Sequence, residues 1–312
     1  MMKKEYSFLS NDGITMIHAA EYMPETDHIK GMIRISHGCS EESGLYEHLA
    51  ERMCRNGWIT GIHDHIGHGK SLAEGHKRNH FGPEGSWQYA ADDLIDLAKR
   101  DKEKHGDLPY VMIGHSMGAF LLRCALIQSP GLCDGAVISG SAYQSKANCA
   151  AGKLLIEREI RKNGYESDSD FVQMLLHDSN NRKLKKAGME GNWLLKDPES
   201  LRMFEEDSIA GGRITAGIFR ELIRGIEFSN DKKEIRKMDR NMPLLLIAGS
   251  EDVTVTFGKD IDKLEKLYCS AGIVNVRKII MTGWRHCILF DGCADECTRM
   301  IQDWIEKEVL KK

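Results

Sequence analysis

Tyr110-Val111-Met112-Ile113-Gly114-His115-Ser116-Met117-Gly118-Ala119-Phe120-Leu121-Leu122-Arg123-Cys124-Ala125-Leu126-Ile127 is the stretch that decides the fold. It opens with a short apolar run, Tyr110 to Ile113, which reads as a buried strand. Gly114 to Gly118 then turns the chain, and Ala119, Phe120, Leu121, Leu122, Ala125 and Leu126 follow at helical spacing. A G-x-S-x-G turn between a strand and a helix is a nucleophile elbow. A Cβ at either end of so tight a turn would strike the neighbouring strand or helix, so glycine is needed at both. The turn is expected to lift the Ser116 hydroxyl clear of the sheet and aim the Met117 N–H at the same point.

Outward from the elbow, strand and helix alternate. Gly31 to Ser36 and Trp58 to Ile62 read as strands, as do Ala136 to Ile138, Pro243 to Ala248 and Val274 to Met281. Helical spacing marks Leu45 to Asn56, Trp87 to Lys104, Lys259 to Cys269 and Ala294 to Leu310. This rhythm predicts an α/β fold: a mostly parallel central sheet with helices on both faces. Two strands around the turn Asn11-Asp12-Gly13 precede it. Between Gln144 and Lys237 no strand is evident, and KLLIEREIRK, FVQMLLHD, PESLRMFEED and TAGIFRELIRGI all carry a helical period. The organisation expected is therefore a core of residues 1–143 and 238–312, interrupted by an all-helical insertion of residues 144–237.

The 312 residues accommodate one such core with its insertion. Lys and Arg number 43 against 47 Asp and Glu, a formal charge of −4 with no basic stripe, which argues against a nucleic-acid partner. The apolar runs are strand-sized, so no membrane-spanning segment is expected. Residues 1–10 carry charge but no apolar core of signal-peptide length. Nine cysteines, an odd number without a C-x-x-C pair, read as reduced thiols of a cytoplasmic protein. Nothing in the sequence fixes an oligomeric state.

A serine hydroxyl needs a base to become a nucleophile. In sheets of this kind the partners follow the serine in the order acid, then histidine. Two histidines follow Ser116, His177 and His286. His177 lies in the helical insertion, whereas His286 follows the last strand, at the sheet edge where catalytic loops gather. The acid should follow the strand that ends near Gly249, where Glu251 and Asp252 stand; Asp252 is preferred, because its place one residue further out suits a short side chain. A second amide must join Met117 N–H in an oxyanion hole, and Cys39 N–H is the candidate, since Gly38 lets the backbone approach. The Cys39 thiol as nucleophile is disfavoured, for no elbow surrounds it. The histidines His63, His65, His68, His76 and His80 invite a metal reading. His63 to His68 approaches the H-x-H-x-D-H pattern of metallo-β-lactamase-like hydrolases, but Gly67 stands where that pattern needs Asp, and no metal is expected.

The sequence resembles the monoacylglycerol lipase and lysophospholipase branch of the α/β-hydrolases, also called serine-aminopeptidase-like. The resemblance lies in HGCSEESGLYEHLA from His37, DHIGHGKS from Asp64, GHSMG from Gly114, GSED from Gly249 and GWRH from Gly283; NWLLKDPES from Asn192 and TAGIFRELIRGI from Thr215 are similar to cap segments of bacterial members. It implies an α/β-hydrolase fold, a Ser116–Asp252–His286 triad, an oxyanion hole of Cys39 and Met117 amides, and no cofactor. Val253 departs from it, since many members have Pro after the Asp. The activity expected is hydrolysis of carboxylic esters, monoacylglycerol- or lysophospholipid-like, through an acyl-enzyme, with a small-molecule ester or lipid as partner. The alternatives are an aminopeptidase of the same fold and a catalytically silent binding protein. For the ester, Leu154, Leu155, Phe171, Met174, Leu175, Phe204, Ile218, Phe219 and Ile223 are candidates for an apolar acyl slot. For the aminopeptidase, Glu157, Glu159, Glu199, Glu205, Glu206 and Glu221 are the available carboxylates.

Overall fold

The structure is a computed structural model that describes residues 1–311. Eight strands form one sheet: β1 (Met2–Leu9), β2 (Met16–Met23), β3 (Gly31–Ser36), β4 (Trp58–His63), β5 (Tyr110–His115), β6 (Gly135–Ser139), β7 (Leu244–Gly249) and β8 (Val276–Met281). Their order is β1-β2-β4-β3-β5-β6-β7-β8. β1 and β2 are antiparallel, as is β2 with β4, and every pair from β4 to β8 is parallel. Residues of β3 through β7 are buried throughout, which is why these strands read as continuous apolar runs rather than alternating ones.

The helices of the core are α1 (Glu47–Arg55), α2 (Trp87–His105) and α3 (Met117–Gln128). Between β6 and β7 come α4 (Lys146–Asn163), α5 (Asp170–Gln173), α6 (Ser179–Lys186), α7 (Pro198–Glu206), α8 (Ala216–Ser229) and α9 (Lys232–Ile235). α10 (Lys259–Ala271) and α11 (Ala294–Trp304) complete the chain. Alternate strand residues serve opposite faces. Met112, Ile138 and Leu246 pack with α2, α3 and α10, while Ile113, Val137 and Leu245 pack with α1 and α11. Arg34 crosses this pattern. It is fully buried in β3 and bonds Asp101 of α2 through Nε at 2.8 Å, in the space that Gly61 leaves by lacking a Cβ.

In the helical stretch, the sole strand-like contact among the described residues is the bridge Asp168–Thr215. Four of its helices start at side-chain caps: Ser145, Ser169, Asp197 and Thr215 each accept the amide three residues on, and Pro198 fills the first position of α7. Boundaries differ from the sequence reading where caps and turns decide them. The expected helix at Leu45 begins at Glu47, after a 3₁₀ turn over Ser43–Tyr46. β8 starts at Val276, because Val274 N–H is taken by Arg240 O. The closing helix ends at Trp304 and widens into a π turn over Ile305–Val309.

The parallel register aligns the carboxyl ends of the strands. Ser36 lies opposite both His63 and Gly114, and Gly249 opposite Met281. The loops that carry Cys39, Ser116, Asp252 and His286 thus all leave the same edge of the sheet.

Candidate active site

Ser116 joins β5 to α3 with φ 51° and ψ −113°, a conformation that costs a side-chain-bearing residue about 1–3 kcal/mol. The flanking glycines explain how the turn closes. A Cβ on Gly118 would lie 2.2 Å from Ser36 O, and one on Gly114 would lie 2.6 Å from Gly118 O. Ser116 N–H donates to Ser139 O at 2.9 Å, which fixes the elbow to β6.

His286 and Asp252 come to this serine from loops after β8 and β7. His286 Nε2 is 2.9 Å from Ser116 Oγ, and His286 Nδ1 is 2.8 Å from Asp252 Oδ2. With Nδ1–H donated to the carboxylate, Nε2 is left to accept the serine proton. Both partners are buried, Asp252 at 0% and His286 at 2% exposure. Thr254, which the sequence reading did not single out, completes the group. Its hydroxyl donates to Asp252 Oδ1 at 2.6 Å and lies 3.1 Å from His286 Nδ1. Its amide also donates to Asp252 Oδ1 at 2.8 Å, so an Asx-type turn shapes the loop that lacks a proline at Val253. Burial works against the His286 imidazolium, but the Asp252 carboxylate, with Glu41 behind it, outweighs that and raises the pKa above its usual 6.5. His177, the other histidine after Ser116, does not reach the serine; its Nδ1 meets Trp193 Nε1 at 3.4 Å.

Cys39 and Met117 line the same cavity as Ser116 and His286. The Cys39 loop is braced by Glu41, whose Oε2 accepts Gly38 N–H at 2.6 Å and the Tyr46 hydroxyl at 2.5 Å. Burial pushes the Glu41 carboxyl up to about 7 and the Cys39 thiol up to about 12. A thiol so held is a poor nucleophile. Glu41 was missed in sequence because a Glu-Glu pair in a polar loop reads as solvated. Its signal is the nearby Tyr46, a hydroxyl that needs a buried acceptor.

The histidine cluster does its work below this loop. His37 Nε2 accepts His65 N–H at 3.0 Å, His65 Nε2 meets Ser36 Oγ at 2.9 Å, and His63 Nε2 meets His65 Nδ1 at 3.3 Å. Burial holds His37, His63, His65 and His68 below the ordinary histidine range. His76 is exposed, and His80 Nδ1 meets Thr215 Oγ1 at 2.7 Å. Among the described residues, three such ligand atoms approach one another within 4.8 Å only at Glu41, His115 and Cys287.

The cavity measures about 770 Å³. Its lining is partly apolar, with Phe120, Ile214, Phe219, Leu222, Ile223 and Ile226, and partly polar, with Gln144, Asn148, Asn180, Lys183 and Thr254. A second cavity of about 370 Å³ shares Gln144, Asn148, Lys183 and Thr254. Of the apolar candidates from sequence, Leu175, Phe204, Phe219 and Ile223 line the main cavity. The others do not: Leu154, Leu155 and Met174 face outward, Ile218 is packed into the core, and Phe171 is half-buried off the cavity. Helical period alone cannot tell a core-facing stripe from a cavity-facing one. The carboxylates are mostly engaged elsewhere. Glu221 accepts Gly85 N–H and the Tyr165 hydroxyl, Glu157 pairs with Arg220, Glu159 accepts from Ser169, and Glu199 and Glu206 pair with Arg202. Glu205 lines the cavity from an exposed position.

Residues 27–292 match the serine aminopeptidase, S33 family. The chain belongs to that family. Within it, the chain is 32% identical over 259 residues to monoglyceride lipase from Homo sapiens, covering 79% of this chain and 76% of the relative. It is 26% identical over 251 residues to monoacylglycerol lipase from Mycolicibacterium smegmatis, covering 80% and 79%. A carboxyl esterase from Bacillus coagulans superposes with a TM-score of 0.88 over 99% of both chains at 22% identity, a likeness of fold. The S33 member described here has the α/β-hydrolase fold, and no helix among its described residues is long and apolar enough to cross a membrane.

Proposed function

We propose that this S33-family member hydrolyses carboxylic esters with lipase-like activity, and that Ser116, His286 and Asp252 are its catalytic triad. The observation that carries the reading is the hydrogen-bonded line from Asp252 Oδ2 through His286 to Ser116 Oγ, at 2.8 and 2.9 Å, opening into a largely apolar cavity. His286 Nε2 takes the Ser116 proton as Oγ attacks the ester carbonyl. The amides of Cys39 and Met117 hold the oxyanion as it forms. His286 then protonates the departing alcohol, and the acyl group stays on Ser116. Water, deprotonated by the same Nε2, releases the acid. Asp252 keeps the imidazole in the required tautomer and stabilises its cation.

Residues 144–237 act as a cap over the carboxyl edge of the sheet. The acyl chain lies along Phe219, Leu222, Ile223 and Ile226, and the alcohol faces Gln144 and Asn148. A monoacylglycerol- or lysophospholipid-like ester, with an apolar chain and a polar head, suits a lining of both kinds, and human and mycobacterial relatives carry monoglyceride or monoacylglycerol lipase names. The aminopeptidase alternative needs a free carboxylate to pair with a substrate ammonium. Glu41 is committed to Gly38 and Tyr46, and Glu205 is solvated, which favours the ester. Nine free cysteines, most of them buried, support a reducing, cytoplasmic setting.

The deciding experiment sets a p-nitrophenyl ester series, a monoacylglycerol and a lysophospholipid beside aminoacyl anilides. Each methylene buried in the slot adds about 0.8 kcal/mol at most, so kcat/KM should climb several-fold per carbon until the slot is full. Rapid anilide cleavage with indifference to acyl length would overturn the ester reading.

A further inference from the structure

Trp193 belongs to the stretch between α6 and α7; its N–H donates to Asn181 Oδ1 of α6 at 3.1 Å, and the residues on either side of it are tied to the loop of the base. Cys287 N–H donates to Leu194 O at 3.0 Å, and Arg285 reaches Asn192 O at 2.7 Å and Glu190 O at 2.5 Å. Asp291 accepts the amides of Lys196 and Asp197 at 2.7 and 2.9 Å, and Lys196 Nζ donates to Gly283 O at 2.6 Å. Gly191 allows the close approach, since a Cβ there would stand 3.0 Å from Arg285 Nη1. Residues 190–197 are thereby laced to residues 283–291.

This lacing delivers the indole of Trp193 onto His286. The ring centroids are 5.2 Å apart with planes at 39°, and Trp193 is only 7% exposed. Leu184 and Val253, the residue after Asp252, pack with the indole, and its Nε1 meets His177 Nδ1 at 3.4 Å. The base has need of such a support. Two acceptors stand within reach of His286 Nδ1, Asp252 Oδ2 at 2.8 Å and Thr254 Oγ1 at 3.1 Å, so those bonds alone leave the imidazole a choice of tilt. A packed aromatic ring removes that choice, keeps water from the Nδ1–Asp252 bond, and favours the imidazolium through its π cloud.

We infer that Trp193 is a positioning residue for His286, held against the imidazole by the Arg285 clamp so that the base stays aligned with Ser116. The inference rests on His286 being the base. Trp193 also lines the cavity, so the test uses a short ester, for which its effect should fall on turnover more than on substrate binding. Misplacing a catalytic group by an ångström costs about a hundredfold in rate, and Trp193→Ala should lose on that order in kcat for a short ester with KM little changed. Trp193→Phe, which keeps a ring, should recover most of it. A purely structural role would instead lower the melting temperature of both variants without this recovery.

An optical readout separates this inference from the ester reading. Indole emission is quenched when an adjacent imidazole becomes cationic. Wild type should show an emission step on acidification whose midpoint matches the acid limb of kcat/KM. The groups that face His286 are Asp252 from the loop after β7, Glu41 from the loop after β3, and His115 at the end of β5, with His177 touching Trp193 from the turn after α5. The step should vanish in Trp193→Phe and in His286→Gln, and persist in His177→Gln. A step lost in His177→Gln but kept in His286→Gln would overturn the inference, as would full kcat in Trp193→Ala. Should the step appear in a protein that cleaves no ester on the panel, the ester reading fails while the stack on His286 stands.

Discussion

Ser116 is held at φ 51° because the elbow demands it, and the energy of that conformation is available to a residue without a Cβ. Ser116→Gly should therefore abolish ester hydrolysis while raising stability by about 1 kcal/mol, read as an increase in melting temperature. Ser116→Ala keeps the strain and loses only the proposed nucleophile, so its melting temperature should match the parent and its turnover should fall about a thousandfold or more. A Ser116→Gly protein less stable than Ser116→Ala would show that the turn is not strained. His286, as the proposed base, should set the pH response. In that role it must be neutral to accept the Ser116 proton, and its pKa is raised above 6.5, so kcat/KM should fall on acidification with a midpoint above pH 6.5. Asp252→Asn removes the charge that holds the value up; burial then dominates, the acid limb should move to lower pH, and turnover should drop about ten-thousandfold. At Cys39 the backbone is proposed to act and the thiol is not. Cys39→Ala should stay active, whereas Cys39→Pro, checked for folding by circular dichroism, should raise the barrier by about 3 kcal/mol.

Between residue and molecule stand the elements, and helix α8 gives the cavity Phe219, Leu222, Ile223 and Ile226. Gly225 brings it against Phe120 of α3; a Cβ there would lie 2.6 Å from the Phe120 ring. Gly225→Ala gains about 1 kcal/mol of helix propensity and loses a comparable amount to the crowded ring, so stability should change little. Phe120 lines the cavity, however, and its displacement should cut kcat/KM for long p-nitrophenyl esters more than for short ones. Equal loss across the series would place the acyl chain elsewhere. Elements were also the level at which the sequence was most readable. Fully buried strands such as Leu244–Gly249 are unbroken apolar runs, and Pro198 and Gly57 punctuate helices by local chemistry. The triad candidates were legible for a related reason, since each follows a readable strand. Trp193 over His286 and Glu41 under Gly38 were not, because those contacts join residues 93 and 3 positions apart through packing and burial that no period or motif encodes. The lining of the cavity was half legible: Phe219 and Ile223 line it, but Ile218 shares their helix and faces the core.

At the scale of the whole molecule, Arg123 decides how the helical stretch is fastened to the sheet. It lies on α3, the helix that begins at the elbow, and is fully buried. Its Nε donates to the Tyr268 hydroxyl of α10 at 2.8 Å, and its Nη1 to Ser141 Oγ at 3.2 Å where the chain leaves β6. Its Nη2 donates to Ser229 O at 2.9 Å and Asn230 Oδ1 at 2.5 Å, where the chain comes back after α8. Asn230 in turn donates to Gln144 O at 3.0 Å, so the way in and the way out are gripped together. One guanidinium thus fixes the base of the helical stretch to the helix that presents Ser116. Arg123→Met would leave these buried acceptors without their donor, at a cost of about 3 kcal/mol for charge-assisted bonds lost from the interior. Arg123→Lys should recover little, because a point charge on a flexible stem cannot span Tyr268, Ser141 and Ser229 at once. The expected signature is a lower melting temperature together with proteolytic cleavage within residues 144–237 under conditions that leave the core intact. Cleavage that begins in the core, or a variant as stable as the parent, would mean that the helices are held by their apolar contacts with α3 and not by this clasp.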